Sequence, residues 1–282
     1  MGRMMSVLEQ MLDKYDTTIA EGASNGLREV MQEIALAGLY RGGFFDRAAF
    51  YGGTCLRIFY GLPRFSEDLD FSLLEQDADF SLEPYFKAVK EEFSALGLDV
   101  SIAVKEKTVQ RGIESAFLKN NTQVFDLAVQ WNKTIKIKFE VDTLPPPGFG
   151  TEEKLLLEPF SFYAKCFVLP DLFAGKMHAL LFRRWKHRIK GRDWFDFEWY
   201  VKKGVPLNLS HFACRAMQSG HMESVKLSEE EFRLLLTQKI GSLDVRLAVD
   251  DISRFVQDVK PLKIWSREYF MQLADRMKII EA

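Results

Sequence analysis

A chain of 282 residues that is 47% apolar and 13% aromatic carries enough hydrophobic side chains for one large domain or two smaller ones. Its 38 Lys and Arg against 40 Asp and Glu leave a formal charge of -2, so the overall balance demands neither nucleic acid nor an anionic membrane. The first residues, MGRMMSVLEQMLDKYDTTIAEG, hold acids where a secretory signal needs an apolar segment, and no run of about 18 apolar residues occurs, which predicts a cytoplasmic chain without a membrane span.

In chain order, SVLEQMLDKY and SNGLREVMQEIALAGLY repeat apolar residues at three and four, which predicts two helices, with Ser24 placed to cap the second. From residue 48 to 143 the signals become short β-type runs: AAFY, EDLDFSLL, LDVSIAVKE, ESAFLKN, FDLAVQWN and KTIKIKFEVDT. One helix, LEPYFKAVKEEFSALG, interrupts them. That pattern predicts an α+β fold, a mixed sheet with flanking helices.

Three consecutive prolines and two glycines in LPPPGFGTEEK, residues 144 to 154, read as a linker or long loop. The division expected is therefore a domain over residues 1–150, N-terminal helices included, and a mainly helical domain over 151–282, in which FSFYAKCFVL alone is β-type. Its helices are PDLFAGKMHALLFRRW, RDWFDFEWYVKKG, LSHFACRAMQ, LSEEEFRLLLTQKI and the stretch through IWSREYFMQLADRMKII.

Cys55, Cys166 and Cys214 lack CxxC spacing and neighbouring histidines, so they read as reduced core residues. His178, His211 and His221 stand in helical context with no Ser, Cys or second His arranged around them in sequence, which predicts structural or surface roles.

Four stretches carry the chemistry. In AAFYGGT a β-type run meets two glycines and a hydroxyl residue at a helix start, where unpaired N–H groups and the positive end of the dipole favour phosphate. Gly52 and Gly53 also permit close approach, and Thr54 adds a hydroxyl, although Gly-Gly serves a plain tight turn equally well. In EDLDFSL, Asp68 and Asp70 share one strand face, about 6.5 Å apart at Cα, and one or two cations can bridge them; alone, such a pair also suits an exposed strand edge.

IKIKFEVDT places Ile135, Ile137, Phe139 and Val141 on a core face and Lys136, Lys138, Glu140 and Asp142 on the other, so a carboxylate there would complete a three-acid metal site. The last stretch, LFAGKMHALLFRRWKHRIKGRDWFDFEWY, puts Lys176 and Arg183 on one flank of a helix. It then gathers six cations, Arg183, Arg184, Lys186, Arg188, Lys190 and Arg192, around Trp185 and His187. This is either a solvated helix end or a clamp for triphosphate or RNA backbone. Asp193 and Asp196 open the next helix at i and i+3, a spacing that also suits a cap.

Taken together, GGTCLRIFYGLPRFSEDLDFSL and LFAGKMHALLFR…KGRDWFDFEWY resemble the two characteristic segments of the AbiEii/AbiGii-type nucleotidyltransferase toxins, relatives of DNA polymerase β. The resemblance covers roughly residues 25 to 205. It implies a polymerase β-like domain in which Gly52, Gly53 and Thr54 form the phosphate-binding turn, Thr54 standing where many members have serine. Asp68 and Asp70 match the metal-binding pair, Glu140 the third strand acid with Asp142 as reserve, Lys176 the helix lysine, and Asp193 and Asp196 the acids of RDxxD.

What it implies further is Mg²⁺-dependent transfer of a nucleoside monophosphate from a nucleoside triphosphate to an acceptor hydroxyl, with tRNA or another RNA as acceptor and a cognate antitoxin as partner. Arg183 would join Lys176 on the triphosphate. Two other readings stay open at this point: a nucleotide- or RNA-binding module without catalysis, and transfer to a small molecule.

Overall fold

The computed structural model describes residues 6–15, 20–104, 122–130, 134–183 and 189–281. The expected strand ESAFLKN and the basic residues 184–188, with Trp185 and His187, lie outside them. The chain divides into two compact units, one of Met1–Gly61, Phe65–Pro145 and Thr151–Cys166, the other of Leu62–Arg64, Pro146–Gly150 and Phe167–Ala282.

In the first unit, α1 (Val7–Leu12) is opened by a capping box in which Ser6 and Glu9 satisfy each other's backbone N–H. The helix α2 (Ala20–Arg41) begins four residues before Ser24, which therefore lies inside the helix rather than at its start. There follow β1 (Ala48–Tyr51), α3 (Gly52–Tyr60), β2 (Asp68–Leu73), α4 (Phe86–Ala95), β3 (Asp99–Val104), β4 (Thr122–Gln130), β5 (Thr134–Asp142), β6 (Thr151–Leu156) and β7 (Phe162–Phe167). Residues 151–156 thus extend as a strand rather than a linker.

The seven strands form one mixed sheet in the order β3-β4-β5-β2-β1-β7-β6. β2 lies parallel to β5 and antiparallel to β1, while β4 runs antiparallel to both β3 and β5. The alternation read from sequence decides which face is buried: Leu69, Phe71, Phe125, Leu127, Ile135, Ile137, Phe139 and Val141 are all core. Packed against this unit's strands and each other, α2 and α4 bury Val30, Met31, Ile34, Val89 and Phe93.

The second unit holds α5 (Leu169–Phe182), α6 (Gly191–Lys203), α7 (Leu209–Gln218), α8 (Glu229–Gly241), α9 (Val245–Ile252) and α10 (Arg267–Arg276). A short parallel pair joins β8 (Leu207–Asn208) to β9 (Ile279–Ile280). Its core is aromatic: Phe173 stacks on Tyr200 at 4.2 Å, and Phe197, Phe212, Phe232 and Phe270 are fully buried. Gly191 admits a close contact between α6 and α9, because a Cβ there would stand 1.9 Å from the Ala248 carbonyl oxygen of α9. That helix had no clear signal in the sequence reading.

Candidate active site

The glycine-rich turn and the aspartate pair meet directly. β1 runs straight into α3 at Gly52, whose backbone takes φ +83°, a conformation that favours glycine. Tyr51 stands in register with Asp70, and a Cβ on Gly52 would fall 2.3 Å from Asp70 Oδ2. Gly52 is glycine because the Asp70 carboxylate lies over its Cα.

Thr54 is fully buried, and its hydroxyl donates to the backbone carbonyl of Asp68. This corrects the expectation that the hydroxyl faces phosphate: its proton fastens α3 to the start of β2. What the helix start offers an anion is its backbone N–H groups and dipole, with Gly53 buried beside them.

Asp68 and Asp70 are both half-buried on the polar face of β2, and parallel pairing sets Asp70 opposite Glu140 and Asp68 opposite Lys138. Asp142 stands one pleat further on, opposite Ser72, and accepts the Leu144 N–H to close the turn after β5. Register therefore pairs Glu140, not Asp142, with the aspartate of the strand.

Lys138 was seen in the sequence only as a residue of that face. Its ammonium is ion-paired and hydrogen-bonded to Glu140. Burial opposes the charged amine, but the hydrogen bond to Glu140 and the charges of Glu140, Asp68 and Asp70 outweigh it and raise its pKa. The ammonium is the counter-ion of the acid cluster.

The carboxylate oxygens of Asp68, Asp70 and Glu140 are the hard donors that Mg²⁺ prefers. Among the described residues, however, no group of three or more His, Cys, Asp or Glu is arranged to hold a metal ion. The donor chemistry fits a dication at the aspartate pair, and Glu140 can join only by exchanging Lys138.

The remaining expected residues belong to the helical unit. Asp196 is completely buried on α6 and accepts a bidentate pair from Arg64, Nε to Oδ1 and Nη2 to Oδ2, each at 2.6 Å, with Lys176 Nζ at 2.7 Å. Burial alone would raise its pKa; the Arg64 and Lys176 charges and their hydrogen bonds hold it below the usual carboxylate range. A carboxylate so enclosed acts on protein cations, which corrects its reading as a catalytic acid: Asp196 positions Lys176 and Arg64. Arg64, 2% exposed, lies inside the first motif, and its role was missed because its partner is 132 residues away.

Asp193, 7% exposed, sits in the first turn of α6 and makes no side-chain cap at the helix start, which corrects the capping alternative. Arg183 follows the last turn of α5 and is exposed.

The histidines also differ from expectation. His178 Nε2 lies 2.8 Å and His221 Nδ1 2.7 Å from the Ser219 hydroxyl, so a serine and a second histidine do surround His178. Burial, aided by Arg215, lowers the His178 pKa to about 2, so the ring is neutral, and Phe182 stacks on His221 at 4.5 Å. This is a packed network of α5 and the end of α7. Cys55 and Cys166 are free and buried, as expected; Cys214 is free and half-buried.

The frame of the site is thus a mixed sheet in which the short helix α3 springs from β1 beside the neighbouring DxD strand β2. The family profile described as "Nucleotidyl transferase AbiEii toxin, Type IV TA system" matches residues 34–276, and the chain belongs to that family. Among solved structures it is similar to MenT4, a nucleotidyltransferase toxin from Mycobacterium tuberculosis H37Rv, with 17% identity over 98% of this chain and 88% of that one and a TM-score of 0.54. JHP933 from Helicobacter pylori shares 17% identity over 88% of this chain and 87% of that one, TM-score 0.50. Identities this low speak for the fold. No curated protein matches the chain. Among the described residues, no helix is long and apolar enough to cross a membrane.

Proposed function

We propose that this chain transfers a nucleoside monophosphate from a nucleoside triphosphate to a hydroxyl of an RNA acceptor, tRNA being the leading case, and that it does so in the cytoplasm as the toxin of an antitoxin pair. The observation that carries the reading is the in-register placement of Asp70 beside Glu140, with Gly52 cut to glycine under the Asp70 carboxylate. A strand edge kept soluble by acids needs neither.

Mg²⁺, bound by Asp68 and Asp70 with Glu140, would neutralise phosphate charge and acidify the attacking hydroxyl. The N–H groups opening α3 at Gly52 and Gly53 hold the terminal phosphates. Lys176, its ammonium aimed by Asp196, supplies positive charge for the transfer, and Asp193 stands among cations at the start of α6. Orientation and electrostatics then do most of the catalysis, as is usual for phosphoryl chemistry. No imidazole base is required, in keeping with a His178 held neutral in a packed network.

Asp68→Ala and Asp70→Ala proteins, each folded by circular dichroism, test the assignment when incubated with labelled triphosphates, Mg²⁺ and unfractionated tRNA. Both lose label transfer if the reading holds; undiminished transfer by either removes the proposed site. The rival reading, a binding module without chemistry, draws on the Lys138–Glu140 pair, and it gains if the wild type binds RNA yet yields no product with any of the four triphosphates.

A further inference from the structure

The helical unit holds a half-open cavity of about 250 Å³ lined by Arg183, Lys190, Lys239 and Asp193 and by the apolar Leu180 and Leu243. The three cations come from three places: the end of α5, the residue before α6, and the last turn of α8. Lys239 donates to the Leu181 carbonyl at 3.1 Å, which ties the end of α8 to the end of α5.

We propose that this cavity is a subsite for a phosphate of the acceptor RNA backbone, held by Arg183, Lys190 and Lys239. The inference rests on the transfer reading above and extends it to α8, for which the sequence suggested no role. Three cations face one carboxylate, so the wall carries excess positive charge. Burial first, then Arg192, lower the Lys190 pKa to about 8, with Arg183 and Lys176 adding to the effect and Asp193 opposing it.

Two features favour a backbone phosphodiester over the donor's triphosphate. Asp193 repels a triphosphate, with its several negative charges, far more than a phosphodiester with one. The apolar Leu180 and Leu243 suit the carbon face of a sugar or base, and the volume falls below the roughly 300 Å³ at which pockets for drug-sized ligands begin. The cavity therefore fits about one nucleotide unit.

The test uses the full chain, with Lys190→Gln, Lys239→Gln and, as control, Lys226→Gln, an exposed lysine of the same unit. Binding of labelled unfractionated tRNA is measured by filter retention across salt, and binding of the triphosphate by calorimetry. One lost phosphate contact removes roughly 0.7 to 0.9 from the slope of log affinity against log salt, about fivefold in affinity near 0.15 M salt. Lys190→Gln and Lys239→Gln should each show that loss, leave triphosphate binding unchanged, and differ from the control.

An unchanged tRNA affinity and slope for Lys239→Gln overturns the proposal, as does an equal loss for the triphosphate, which would assign the cavity to the donor. If Lys190→Gln fails to fold, Lys239→Gln alone decides. A wild type that binds tRNA through these lysines but transfers no label keeps the subsite and loses the enzyme reading; transfer with lysine-independent tRNA binding does the reverse.

Discussion

Gly52→Ala perturbs a place where the two halves of the first motif touch. The new methyl group must sit on a backbone at φ +83°, which costs an L-residue about 1–2 kcal/mol. It also lands 2.3 Å from Asp70 Oδ2 and 3.0 Å from Asp70 Cβ and Cγ, an overlap that strand and helix relieve at about 1–3 kcal/mol of overpacking. The sum is about 2–5 kcal/mol, read from urea unfolding. Turnover should fall further than stability explains, since displacing a reacting group by about 1 Å costs on the order of 100-fold. In the double variant Gly52→Ala/Asp70→Ala the Oδ2 overlap vanishes, so destabilisation should be smaller than the sum of the two single variants. Strict additivity, or a Gly52→Ala protein as stable and active as wild type, would refute the contact.

Arg64→Met strands the buried Asp196 with Lys176 alone and should cost about 3–5 kcal/mol, with Arg64→Lys failing to restore it because the pair is bidentate; a loss under about 1 kcal/mol in urea unfolding contradicts the buried network. Lys138→Met frees Glu140 and should tighten Mn²⁺ binding roughly fivefold or more by calorimetry, whereas weaker binding would deny that Lys138 is the counter-ion of the acids. His178 is neutral in the folded chain, with a pKa of about 2 against 6.5 unfolded, so its protonation stabilises the unfolded state as pH falls below 6.5, by about 1.4 kcal/mol per pH unit. Glu33, raised to about 7 mainly by burial, acts in the opposite direction between pH 7 and 4.5, so the comparison is made against His178→Gln, whose melting temperature should decline less steeply between pH 6.5 and 5 than that of wild type. Parallel declines would remove His178 as a source of acid sensitivity.

Much of this was legible in the chain because strand faces follow a period of two. The burial of Ile135, Ile137, Phe139 and Val141 and the shared face of Asp68 and Asp70 needed no partner to be read. Register did need one: β2 and β5 are parallel and separated by an intervening helix and two strands, so nothing local distinguished Glu140 from Asp142. Lys138 shared the polar face in plain view, but its role as counter-ion depends on which acids stand opposite. Arg64 and Asp196 are 132 residues apart, and a basic residue in a loop gives no sign of a buried partner. Thr54 was read by its chemistry as a phosphate donor, whereas packing turned its single proton onto a backbone carbonyl. The Pro- and Gly-rich stretch concealed β6, since a strand that starts immediately after such a loop reads as the loop's continuation.

The central claim, nucleotidyl transfer to RNA, is tested most directly by one pair of incubations of the wild-type chain with Mg²⁺ and unfractionated tRNA, one with triphosphates labelled at the α-phosphate and one at the γ-phosphate. The account predicts that α-label enters the RNA and γ-label leaves as pyrophosphate. γ-Label in the RNA, or no label from any of the four triphosphates, would contradict it.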